Sequence, residues 1–163
     1  MPARLAALVL CGLVLAGAAG AAGAAPFELV TAAELAREKE AAARSAQEAP
    51  RTRSMPVPRA ATTAIRVLAP NGAAAVASPL RIELAFDAAP GARIVPSSFR
   101  VLYGVLKIDL TERLRPHARI SEAGVVVEQA QIPDGLHRLF MQVSDDKGQL
   151  AEQELRVRVG AAS

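Results

Sequence analysis

The stretch Leu80-Arg81-Ile82-Glu83-Leu84-Ala85-Phe86-Asp87 decides the fold. Successive side chains of a strand point to opposite faces, so Leu80, Ile82, Leu84 and Phe86 share one face, and Arg81, Glu83, Ala85 and Asp87 share the other. A strand with one apolar and one polar face packs on a core and meets water behind, the habit of antiparallel sheets. Phe99, Val101 and Tyr103 repeat the pattern against Ser98, Arg100 and Leu102. Working outward, further strands are expected at 65–68, 105–110, 117–121, 125–131, 137–144 and 150–159. Pro70-Asn71-Gly72, Pro90-Gly91, Gly124, Pro133-Asp134-Gly135 and Asp146-Lys147-Gly148 separate them as turns. About eight short strands so spaced predict an all-β antiparallel sandwich over residues 64–160, with 161–163 as a tail.

Upstream the composition changes twice. Pro50, Pro56 and Pro58, interleaved with Arg51, Arg53 and Arg59, predict an extended linker over 50–63. Residues 25–49 read as a short helical arm. Thr31-Ala32-Ala33-Glu34 is a capping box, Val30 and Leu35 form a hydrophobic staple across it, and Glu40 and Arg44 pair one turn apart. The arm is either a solvated spacer or a docking segment anchored on a partner by Phe27, Leu29 and Val30.

Residues 1–24 read as a secretory signal peptide: Arg4, an apolar run from Leu5 to Ala16, and a Gly/Ala tract in which Ala22-Gly23-Ala24 offers small residues for cleavage. Sites after Ala19 or Gly20, and retention of residues 5–25 as an anchor, are the alternatives. Lipidation at Cys11 is disfavoured because Leu10 precedes it. Cleavage removes the only cysteine, which excludes disulfides, thiol catalysis and thiolate metal sites from the mature chain. The expected location is periplasmic or secreted, with no membrane span after cleavage.

The chain has 163 residues, 52% of them hydrophobic and 21% charged, which suits one globular domain. Nineteen basic residues against sixteen acidic ones are scattered along it, so no basic stripe points to nucleic acid. No nucleophile elbow, HExxH or phosphate loop occurs, and the expectation is a protein that is not an enzyme and carries no cofactor.

The stretch Ile132-Pro133-Asp134-Gly135-Leu136-His137, continued by alternating residues to Asp145-Asp146-Lys147-Gly148, resembles the last hairpin of bacterial immunoglobulin-like domains. Ile65-Arg66-Val67-Leu68-Ala69-Pro70-Asn71-Gly72 is similar to their first strand and its Pro turn, and Leu80 to Asp87 to their second. The resemblance covers residues 64–160 and implies an immunoglobulin-like sandwich serving as an exported binding or spacer module. It transfers no catalytic residue. The departure is His137, where the family usually has Tyr.

His137 shares a face with Leu139, Met141 and Val143, which makes it a corner residue bonded to backbone. Two isolated histidines, His117 and His137, lack metal-ligand spacing. Phe140 falls out of phase with Leu139 and Met141. With Leu102 and Leu136 it forms a small outer apolar patch for a partner or for the arm. The expected function is a non-catalytic module acting by protein–protein contact or as an envelope accessory, its unidentified envelope protein partner met through Phe27, Leu29, Val30 and Phe140. The alternative is a small-ligand or calcium-binding protein using carboxylates at loop tips, Asp134, Asp145 and Asp146. A plain hairpin turn at Asp145–Gly148 competes with calcium there.

Overall fold

The computed structural model describes residues 26–48, 62–70 and 75–160. The expected leader, most of the linker and the tail lie outside the described residues. In chain order the elements are β1 (Phe27–Glu28), α1 (Ala32–Glu48), β2 (Ala64–Ala69), β3 (Leu80–Asp87), β4 (Ile94–Tyr103) and β5 (Ile108–Asp109). There follow α2 (Thr111–Leu114), a 3-10 turn (Arg115–His117), β6 (Ala118–Ser121), β7 (Gly124–Gln131), β8 (Gly135–Asp145) and β9 (Leu150–Val159).

The strands make two sheets, the expected all-β sandwich. The first runs β2-β3-β7, with β6 and β1 laid end to end along the far edge of β7. The second runs β5-β4-β8-β9. Every neighbouring pair of strands is antiparallel except β1 with β7, which is parallel, Phe27 facing Ala130. The inner faces carry the alternating residues read from sequence: Ile82, Leu84 and Phe86 from one sheet, Phe99, Val101, Leu139, Met141 and Val143 from the other, all buried.

The stretch expected as a strand over 105–110 is a turn followed by the two residues of β5, and then the chain changes sheets. Asp109 Oδ1 accepts the Thr111 amide at 2.8 Å, and the Thr111 hydroxyl accepts the Val101 amide at 3.0 Å. These two bonds start α2 and pin it to β4, so a single helical turn carries the chain across the edge of the sandwich.

The arm is a piece of this body. Thr31 and Glu34 close the capping box in both directions, at 2.8 Å and 3.2 Å, and α1 starts where the sequence signal places it. Leu29 and Val30, just ahead of the cap, are fully buried. Leu29 seats among Ile82, Leu84, Phe99, Val101 and Leu114, with only about 10 Å³ left empty. Arg113 then ties the arm from outside, donating to the Leu29 carbonyl at 2.9 Å and to both Glu34 oxygens at 2.9 Å. One turn later the Glu38 carboxylate accepts the Val105 amide at 2.8 and 2.9 Å, gripping the turn between β4 and β5.

Candidate functional site

The outer face of the second sheet holds the candidate patch. Register places Leu102 opposite Phe140 and Phe140 opposite Glu154, with Arg138 opposite Arg156 and Leu136 opposite Arg158. Phe140 does stand on the outer face, half-buried. Its ring is roofed by Lys107, whose ammonium lies 3.0 Å from the ring centroid, with the Arg138 guanidinium 5.6 Å away. Ammonium over an aromatic face is attractive because the ring carries negative potential there. Lys107 reaches it from a left-handed backbone, φ 50°, in the turn that Glu38 grips. Sequence pattern put Phe140 on this face; the lysine roof depends on turn geometry that alternation does not encode.

Charge on this face is unevenly matched. The Glu154 carboxylate accepts from both Arg156 and Arg138 at 2.8 Å, and the Arg156 and Arg138 guanidiniums hold its pKa at about 2. Lys107 and Arg158 have no carboxylate partner among the described residues. Leu106 and Leu136, at the same end of the sheet, are 50% and 65% exposed. Toward the other end lies a polar groove of about 360 Å³, lined by Ser97, Ser98, Arg100, Asp109, Arg115 and Gln142 among others.

Beneath the patch sits the corner. His137 is buried, accepts the Tyr103 hydroxyl on Nδ1 at 3.0 Å, and donates from Nε2 to the Pro133 carbonyl at 2.7 Å. That arrangement needs the neutral ring with its proton on Nε2. Burial lowers the His137 pKa and, with Glu38 and Glu34 nearby, raises that of Tyr103 to about 12, so neither group is charged at neutral pH.

The remaining candidates are engaged differently. Phe27 is buried and stacks on His117 with ring centroids 3.9 Å apart, and Leu29 and Val30 lie in the core. In this arrangement the apolar surface of all three is covered by the chain itself. Asp145 is also buried: Oδ1 accepts the Lys147 and Gln149 amides and Oδ2 the Thr63 hydroxyl, at 3.0, 2.8 and 2.6 Å. These bonds, the Thr63 hydroxyl first, lower its pKa. Asp146 accepts the Arg93 amide at 3.0 Å. Asp134 stands at the opposite end of β8, on the order of 35 Å from Asp145 along the strand. The three carboxylates therefore do not converge, and among the described residues no cluster of three or more His, Cys, Asp or Glu is placed to hold a metal. Asp145 shapes the hairpin instead.

No described helix is long and apolar enough to cross a membrane. The chain matches no protein-family model and no curated protein.

Proposed function

We propose that this chain is a non-catalytic exported module with an immunoglobulin-like sandwich, acting in the cell envelope by protein–protein contact or as an accessory to other envelope proteins. The observation that carries the reading is the strand distribution. One sheet holds β2, β3, β7 and β6, with β1 added along the edge of β7, and the other β5, β4, β8 and β9; apart from β1, this distribution supports the A-B-E-D and C′-C-F-G division of immunoglobulin-type sandwiches. His137 supports it: at the start of β8 it bonds the carbonyl four residues upstream, as the corner tyrosine of such domains does. Export rests on the leader pattern of residues 1–24.

The contact surface in this reading is the outer face of the second sheet around Phe140 and Gln142. Site-specific photocrosslinkers at those positions, and at Arg66 and Arg81 on the opposite sheet, test it in the native envelope. Adducts to the same protein from the first pair and none from the second are expected. Equal labelling from both sheets overturns the choice of face. Mass spectrometry of the captured chain reads its N-terminus, and a start at Met1 overturns leader removal.

A further inference from the structure

We infer that the end of the second sheet carrying Leu106, Lys107, Leu136, Arg138, Arg156 and Arg158 is a docking surface for an anionic lipid bilayer. The inference uses the exported reading only for where such a surface is met, and it does not depend on the immunoglobulin-like one. The two sheets differ in how their charges are matched. On the outer face of the first, each arginine has its own carboxylate: Arg66 with Asp87, Arg81 with Glu83, Arg119 with Glu128. On the second, Arg138 and Arg156 share Glu154, while Lys107 and Arg158 have no carboxylate partner among the described residues; the other acids at this end are Asp134 in the turn before β8 and Glu38, whose carboxylate is taken up by the Val105 amide. The surplus is cationic and local.

The apolar part fits the same occupant. Leu106 sits in the turn beyond the last paired residues of β4 and Leu136 near the start of β8, both largely in water. Leucines that project from the end of a sheet, flanked by long cationic side chains, place hydrocarbon among acyl chains and nitrogen at the depth of the phosphates. Each basic residue near an anionic leaflet adds to the attraction, and the leucines that insert beside them add an apolar contribution to the same reversible binding. Lys107 is held for this by Glu38 through the turn, with its ammonium fixed over Phe140.

Co-sedimentation of residues 25–163, which keep every described element, tests it. The probes are phosphatidylethanolamine vesicles with about a quarter phosphatidylglycerol, and phosphatidylcholine vesicles. Binding to the first alone, lost at ~0.5 M salt, is expected. Lys107→Asn with Arg158→Gln should weaken it about tenfold or more, and Leu136→Asn should do likewise, each with an unchanged thermal midpoint. If Leu136→Asn unfolds, Leu106→Gln in the exposed turn replaces it. Equal binding to both vesicles, or binding indifferent to these substitutions, overturns the inference. So does capture of a soluble acidic peptide by the same residues while vesicles stay free, which assigns the patch to an acidic protein. None of these outcomes bears on strand order or leader removal, so the two readings fail separately.

Discussion

Single side chains set most of the tolerances of this molecule. Gly104 occupies φ 67°, and a Cβ there would lie 2.0 Å from Glu38 Oε2. Gly104→Ala therefore strains the backbone and displaces a carboxylate that holds two bonds to Val105. Urea unfolding should show a loss of about 2–4 kcal/mol. His137 behaves as a one-way proton gate. An unfolded histidine titrates near 6.5, while the buried one resists the proton. Stability is thus complete above pH 6.5 and declines as pH falls through 6.5 toward the lowered folded value, where the unfolded chain binds a proton the folded chain refuses. Denaturation midpoints at pH 7.5 and 5.5 should differ for the native chain and converge for His137→Gln. The corner role of His137 was legible from its phase alone. Its bond to Tyr103 was not, because those residues lie 34 positions apart on different strands.

Elements were legible wherever one face was wet and the other dry. β3 and β9 run over the residues their patterns predict, and α1 starts at its capping box. The first half of β4 escaped. Pro96, Ser97 and Ser98 interrupt the alternation, and register shifts between Val95 and Arg100. There the Ser98 hydroxyl takes over from the ladder, donating to the Val95 carbonyl at 2.6 Å and accepting the Ser144 amide at 2.8 Å. Ser98→Ala should leave that amide unpaired and cost about 1–3 kcal/mol, read as faster hydrogen exchange at Ser144. β1 escaped too, since two residues carry no period. The Arg113–Glu34 pair secures the arm at element scale. Arg113 holds the Glu34 pKa at about 2 against 4.5 unfolded, so its contribution is whole above pH 4.5 and is lost as pH falls toward 2. Exposure of the guanidinium and solvent screening limit that contribution to about 1 kcal/mol. A double-mutant cycle with Arg113→Ala and Glu34→Ala at pH 7 measures it, and the coupling should vanish near pH 2.

At the scale of the whole molecule, the arm makes the difference between a sandwich and a finished one. Composition showed a leader-like start, a helical stretch and a sheet-rich remainder, but a few apolar residues before a capping box do not say whether they meet another protein or their own chain. The core answers that through Leu29 and Val30, both at 0% exposure. Leu29→Ala should cost about 2–5 kcal/mol in thermal or urea unfolding, the range for a leucine removed from a close-packed site. Deleting residues 26–48 should lower stability further and open the dye-binding apolar cleft that Leu29 fills, and a peptide of those residues should restore the midpoint when added back. The parallel pairing of Phe27 with Ala130 has a temporal side as well. The two partners are separated by most of the chain, and closing so long a loop is among the slowest steps of folding. The first described residues to be synthesised must wait for β7 before they can settle. Until then the core stands open at the arm's place, and the sandwich is closed by the segment that was made first.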